Sequence, residues 1–134
     1  MDTNQIKNLV RYGIVSSRNG KGGTVRVTFP DKDNLVSGEL MVLQHGTYGT
    51  EEYWIPEVGT RVACLFDPNA SGNGLNAGMV LGACYSKANP PPESDPDVRA
   101  VHFPDGSLIK YDHGTITIEA SSQIVLKAPM IHIN

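Results

Sequence analysis

The sequence predicts an all-β protein, and three observations carry that prediction. Apolar residues alternate with polar ones at a period of two in several short segments, as at Val25, Val27 and Phe29. The 134 residues include 14 glycines and 9 prolines, a composition typical of a chain with many turns. No segment beyond the N-terminus has the apolar spacing of an amphipathic helix, so the elements are expected to be strands.

The N-terminal segment is the exception, because residues 3–11 have a helical pattern. Thr3 is suited to cap the first turn, and Ile6, Leu9 and Val10 would share one face. Residues 1–11 are therefore predicted to form a short helix or arm. The segment lacks the pattern of a signal peptide, and no apolar run approaches the roughly 20 residues needed to span a bilayer. We expect synthesis in the bacterial cytoplasm.

Residues 12–86 are predicted to form a small barrel. Period-two or apolar runs predict strands near residues 12–16, 24–29, 39–43, 62–66 and 78–85, and the turn-rich residues 18–23 predict a hairpin. Residues 72–77 match a dinucleotide fingerprint formally, but a strand follows where that fingerprint needs a helix. About five strands in this length fit a closed or nearly closed barrel. Cys64 and Cys84 are expected to be reduced core residues.

A proline-rich segment over residues 87–99 is predicted to be an extended linker, because consecutive prolines favour polyproline II. Residues 100–103 and 107–111 beyond it are predicted strands. They flank Pro104-Asp105-Gly106, and Asp112-His113-Gly114 follows. Both tripeptides are typical hairpin turns.

The last twenty residues contain three apolar pairs separated by corners. Side chains alternate across a strand, so the first and third residues of each triplet share a face. One such ribbon buries very little, which favours several chains intertwined around one axis, as in a closed homotrimer. The alternative is an ordinary meander packed on the rest of the domain. The residues that form the pairs are Ile116 and Ile118, Ile124 and Leu126, and Ile131 and Ile133.

Charge and composition weigh against two classes of function. The net charge of −3 offers no cationic excess for general nucleic-acid binding. Catalytic residue types occur as His102 with Asp105, as Asp112 with His113, and as a cysteine with His45, but no pairing combines a nucleophile, a base and an orienting group. We therefore expect a protein that is not an enzyme and needs no cofactor.

Several motifs follow one another along the chain. After the Trp-x-Pro-x-Val-Gly-x-x-Val and Gly-x-Val-x-Gly motifs come the proline-rich linker and His102-Phe103-Pro104-Asp105-Gly106. The residues of the two barrel motifs are Trp54, Pro56, Val58, Gly59, Val62, Gly78, Val80 and Gly82. In this order the motifs resemble the baseplate assembly protein V family of phage tail spikes, and the likeness covers nearly the whole chain.

This resemblance implies an N-terminal OB-fold barrel over residues 12–86 and an intertwined triple-stranded β-helix stem over residues 100–134, assembled as a homotrimer. It also implies a structural role at the centre of a contractile tail baseplate, in a phage, an R-type bacteriocin or a related injection system. The partners implied are the tail hub and tube proteins and, on contraction, the target cell envelope. The paired apolar residues of the ribbon would form the trimeric stem core.

The chain departs from those spikes of the family whose tips bind iron through paired histidines. His132 is the one histidine in the terminal ribbon, and alternation places it opposite Ile131 and Ile133. It is a weak candidate metal ligand, and an axial metal ion is not expected. A separate tip protein of the Pro-Ala-Ala-Arg repeat type is the expected partner instead. The alternative function is an OB-fold binding module for another ligand or for single-stranded nucleic acid, whose bases would stack on Tyr48, Tyr53 and Trp54.

Overall fold

The computed structural model describes residues 9–67 and 78–134, and within them the chain is all-β apart from one 3-10 turn over Pro30–Lys32. No helix in these ranges is long and apolar enough to cross a membrane. The chain divides into two compact units, Met1–Pro90 and Pro91–Asn134, which are considered separately below. The boundary lies within the segment predicted to be a linker.

The first unit contains eight strands within the described residues. Five of them are the long or buried strands that the period-two pattern predicts, and the other three are two-residue strands. The strands are β1 Val10–Asn19, β2 Thr24–Phe29, β3 Leu35–Val36, β4 Leu40–Val42, β5 Thr47–Tyr48, β6 Thr50–Glu51, β7 Arg61–Phe66 and β8 Gly78–Ala83.

Five of these strands close into a barrel in the order β1-β7-β8-β4-β2, with β2 returning to β1. Every pairing around the barrel is antiparallel except that of β4 with β8. β3 pairs with the C-terminal end of β2, and β5 pairs with β6 in a separate hairpin. The predicted closed barrel is therefore confirmed, as is the hairpin between β1 and β2.

The barrel interior is filled by the inward set of side chains on each strand. On β7, Val62, Cys64 and Phe66 are buried while Leu65 faces outward, as alternation requires. β-branched residues dominate the interior, and they suit a pleated surface. The buried apolar residues are Val15, Val25, Val27, Phe29, Leu40, Val42, Ile55, Val62, Cys64, Phe66 and Val80.

The second unit is a three-stranded antiparallel sheet in the order β11-β10-β9. Its strands are β9 Arg99–His102, β10 Leu108–Asp112 and β11 Thr115–Glu119. Both predicted hairpins are confirmed, since Pro104-Asp105-Gly106 joins β9 to β10 and residues 113–114 join β10 to β11. His113 and Gly114 both have positive φ, at 47° and 93°. A two-residue hairpin of the twist-matched type needs that conformation.

Two predicted boundaries are wrong. The sequence predicts a short helix or arm up to residue 11, yet β1 begins at Val10, because Val10 and Arg11 pair with Leu65 and Cys64 on β7. Sheet pairing therefore overrides a local helical pattern at this point. The rest of the predicted helix, residues 1–8, lies outside the described residues, as does the loop at residues 72–77. The central strand predicted at residues 39–43 is shorter, at Leu40–Val42.

Candidate assembly surface

One face of the sheet in the second unit is apolar and uncovered within this unit. Cross-strand neighbours share a face, so Val101, Ile109 and Ile118 form one row across the three strands. In the next row Tyr111 pairs with Ile116 and with Arg99, so one cation lies at the edge of this face. All of these apolar side chains remain about half exposed or more. We call this the open apolar face. A cluster of exposed apolar side chains on one sheet face is typical of an interface.

The opposite face of the same sheet is polar, and a segment of the linker covers it. The Glu93 carboxylate accepts a hydrogen bond from Lys110 Nζ at 3.1 Å and lies 2.9 Å from His102 Nε2. The hydrogen bond from Lys110 is the main cause that lowers the pKa of Glu93, and His102 adds to it. One face of the sheet is therefore polar and covered by the linker segment, whereas the other is mainly apolar and exposed.

A side-chain network fixes the corner where the chain leaves β11. Ser121 Oγ donates to Asp105 Oδ2 at 2.6 Å, and the Ser107 backbone N–H donates to Asp105 Oδ1 at 3.0 Å. The Ser121 backbone N–H also donates to Ser107 Oγ at 3.1 Å. The hydrogen bond from Ser121 is the largest cause that lowers the pKa of Asp105. The β9–β10 turn thus anchors the start of the terminal segment.

The terminal segment that follows this corner has no local strand pairing. Residues 122–134 belong to no strand, and their backbone groups form no backbone hydrogen bond with the described part of the chain. Of the predicted stem core residues, Ile116 and Ile118 lie on the open apolar face of β11. The others lie beyond it and are all exposed: Ile124, Leu126, Ile131 and Ile133. His132 is exposed as well.

The first barrel motif forms the loop that enters β7 and closes against β1. Pro56 is fully buried, and the preceding Ile55 carbonyl accepts a hydrogen bond from Arg18 Nη2 at 2.6 Å. Gly59 has a φ of 98°, and its N–H donates to the Val15 carbonyl at 2.9 Å. A residue with a side chain would be strained there. These contacts hold the loop formed by the motif against β1.

The remaining motif residues divide between core and surface. Val62 and Val80 are completely buried in the barrel, whereas Val58 and Trp54 are exposed at 60% and 41%. A Cβ at Gly78 would lie 2.6 Å from the Leu65 carbonyl oxygen, so this position needs glycine for close strand packing. Gly82 lies on the same strand beside open space. The motif thus specifies the barrel and also leaves a tryptophan at its surface.

The candidate catalytic pairs have ordinary structural partners. His113 Nδ1 lies 2.6 Å from Asp112 Oδ1, and this contact is the main cause that lowers the pKa of Asp112. His113 Nε2 also faces Asp95, and with Asp97 these exposed groups could surround a cation. Burial raises the pKa of Cys64 to about 11, so its thiol stays protonated and unreactive at neutral pH.

Comparison with known proteins adds one informative relative. No protein-family model matches the chain. The Spike protein of Escherichia phage P2 is 30% identical over 116 residues, which cover 87% of this chain and 52% of that protein. The chain is similar to a phage spike protein. It spans about half the length of that relative. The predicted likeness to phage spikes is confirmed, whereas the narrower baseplate assembly protein V family stays a prediction.

Two features of these surfaces were missed in the sequence. Glu93 lies in a segment predicted only as a stiff linker, and no local pattern pairs it with Lys110. The helical pattern places Arg11 in a helix or arm, yet Arg11 occupies an inward position on β1, as Gly13 and Val15 do. The alternation of Arg11, Gly13 and Val15 with Tyr12 and Ile14 was a signal that could have placed it there.

Proposed function

We propose that this chain is the central spike of a contractile tail baseplate, in a phage, an R-type bacteriocin or a related injection system. Its barrel is an OB fold, and three copies of it close the distal end of the tail tube. Three stems intertwine as a triple-stranded β-helix. The observation that carries this proposal is the likeness to the phage P2 Spike protein over 87% of the chain.

The stem geometry supports a homotrimer. Residues 122–134 are exposed and have no backbone partners within the described chain, so their N–H and C=O groups pair with water unless neighbouring chains provide partners. Strands from two other copies would supply them. The same association would bury the open apolar face and the exposed isoleucines beyond it, which is favourable in water. A chain of this kind gains its stem core only by assembly.

Interwoven strands suit a mechanical role. Extracting one chain from such a stem breaks main-chain hydrogen bonds to its neighbours and exposes apolar surface that all three chains share. The contracting sheath would then drive the narrow stem into the target cell envelope without unravelling it. The chain acts in this role without catalysis, cofactor or axial metal ion.

The family resemblance also suggests the partners and the place of action. The tail hub and tube proteins would contact the barrel ring, and a tip protein of the Pro-Ala-Ala-Arg repeat type would cap the stem. The protein would be made in the bacterial cytoplasm and assembled at the distal end of the tail. No specific nucleic acid is among these partners.

The solution mass tests the proposal directly. We expect light scattering to give three times the chain mass of 14.5 kDa, with no dissociation on dilution. A compact monomer at all concentrations would contradict the proposed spike. The OB-type binding module would then be the better hypothesis, because Tyr48 and Tyr53 are 97% and 73% exposed. Salt-sensitive binding of a short oligothymidylate would support that alternative.

A further inference from the structure

The linker segment that covers the polar face of the second unit, residues 91–98, is attached mainly through one side chain. We call this segment the strap. Six of its residues are exposed, and only Glu93 and Val98 are partly buried. The Glu93 carboxylate uses both oxygens on the sheet, since Oε1 lies 3.1 Å from Lys110 Nζ on β10 and Oε2 lies 2.9 Å from His102 Nε2 on β9. One carboxylate therefore joins the strap to two neighbouring strands.

The backbone of the strap does not attach it to the sheet. Among the described residues, no backbone hydrogen bond joins the strap to β9, β10 or β11. Its own contacts are local, because the Val98 N–H donates to the Asp95 carbonyl at 3.2 Å and the Asp97 N–H donates to Asp95 Oδ1 at 2.9 Å. Arg99 Nη1 likewise donates to the carbonyls of Pro96 and Val98. These bonds shape the end of the strap without holding it on the sheet.

A second ionic contact of the strap is more exposed to solvent. Asp95 Oδ2 lies 3.6 Å from His113 Nε2, and His113 Nδ1 already lies 2.6 Å from Asp112 Oδ1. These side chains are about half exposed, whereas those of Glu93 and Lys110 are about three-quarters buried. Exposed ion pairs are screened by water and salt and contribute little to stability. The attachment of the strap therefore depends chiefly on Glu93.

The sheet beneath the strap is held together by contacts of its own. β10 pairs with both β9 and β11 along the backbone. The β9–β10 turn and the corner after β11 are fixed by hydrogen bonds among Asp105, Ser107 and Ser121. None of these contacts involves residues 91–98. Release of the strap would break the Glu93 bridge and leave the sheet intact.

We propose that the strap is a conformational device with two states, attached when Glu93 bridges β9 and β10 and released when that bridge is broken, with the sheet folded in both. Release adds the eight residues of the strap to the tether between the two units. Three of them are prolines, which favour an extended chain of about 3.1 Å per residue, so the tether lengthens by up to about 25 Å. The proposal uses contacts within one copy of the second unit, so it does not depend on the trimer.

The test measures backbone order parameters by amide NMR relaxation on the full chain at neutral pH. Strap amides such as those of Glu93 and Ser94 should have order parameters of about 0.85 in the wild type and below about 0.6 in Glu93→Gln. Those of Val101 and Ile109 in the sheet should stay at about 0.85 in both proteins. Raising the salt from about 0.1 M to about 1 M shortens the Debye length from about 10 Å to about 3 Å, so it should lower the order parameters of the wild-type strap.

A second variant and a matched control accompany Glu93→Gln. Lys110→Gln removes the main partner of Glu93 and should release the strap as well. Glu119→Gln is the control, because Glu119 shares a row with Leu108 and His102 on the same polar face. In the part of the chain that the structure describes, the Glu119 carboxylate forms no ion pair with the strap. The strap of Glu119→Gln should therefore stay ordered.

Three results would overturn the proposal. A strap that stays ordered in both Glu93→Gln and Lys110→Gln, or one that is already mobile in the wild type at low salt, would show that the Glu93 bridge does not hold it. Equal loss of order in Glu119→Gln would show a general effect of charge on this face. Loss of order at Ile109 together with the strap would show that release unfolds the sheet, so the two folded states would not exist.

Discussion

Replacing Ile118 by asparagine tests whether the open apolar face is buried in an interface or stays exposed to solvent. Ile118 keeps 55% of its surface exposed in the single chain. Complete burial of an isoleucine side chain is worth about 1.5–3 kcal/mol, so covering the remaining half is worth about 1 kcal/mol per chain. Three copies on one axis would lose about 3 kcal/mol together, or about a hundredfold in the trimer association constant.

If the protein is a monomer, Ile118→Asn should change its stability only slightly. A polar substitution at an exposed surface position usually changes the free energy of unfolding by no more than about 0.5 kcal/mol. Sedimentation velocity across a dilution series would measure the association constant, and thermal unfolding would measure the stability at fixed concentration. The matched control is Thr117→Asn, which places the same side chain on the opposite face of the same strand.

The two variants together decide the interpretation. We expect Ile118→Asn to dissociate at concentrations where both the wild type and Thr117→Asn remain assembled. If Ile118→Asn and Thr117→Asn dissociated alike, strand propensity would explain the effect and the open apolar face would not be the interface. An unchanged association constant for Ile118→Asn would refute the reasoning outright.

Three further predictions concern packing, protonation and reactivity. A Cβ at Gly13 would meet Val27 Cγ1 at 2.4 Å, so Gly13→Ala should destabilise the barrel by about 1–3 kcal/mol in thermal unfolding, whereas Gly82→Ala, beside open space, should not. The pKa of Glu93 is lowered from 4.5, so its contribution to stability is complete above that pH and is lost as pH falls through the folded-state value. Glu93→Gln should therefore flatten the acid limb of a stability–pH profile, and Glu119→Gln should not. Because the pKa of Cys64 is about 11 and its side chain is buried, iodoacetamide at neutral pH should label Cys64 only after unfolding. Cys84 is less buried and should be labelled faster than Cys64 in the folded protein, as measured by peptide mass spectrometry. Equal labelling rates of the two cysteines in the folded protein would contradict this prediction.

The barrel was predictable from sequence because its determinants are local. Val25, Val27 and Phe29 alternate cleanly, and glycines and turn residues mark the ends of the strands. β1 was harder, because Val10 and Arg11 fit a helical pattern as well as they fit a strand. Only the pairing with β7, more than fifty residues away, decides between them. Long-range pairing of this kind leaves little trace in a single sequence.

The candidate surfaces were predictable in part for the same reason. The apolar residues of the proposed stem follow from alternation on each strand, so Ile116 and Ile118 could be placed on one face in advance. Their neighbours Val101 and Ile109 depend on cross-strand register, which the two hairpin turns set. Glu93 could not be predicted, because its contacts with His102 and Lys110 join a linker to two strands.

The asymmetry of the sheet formed by β9, β10 and β11 constrains how copies would associate in the proposed trimer. The polar face is covered by the segment carrying Glu93, whose carboxylate bridges Lys110 on β10 and His102 on β9. Association through that face would displace this segment and leave a cation without its partner, which is costly in an interface. Association through the open apolar face removes Val101, Ile109 and Ile118 from water and breaks none of these contacts. The contacts of Glu93 therefore favour association through the open apolar face. In a stem built from this sheet, the polar face would point outward and the open apolar face would lie on the axis.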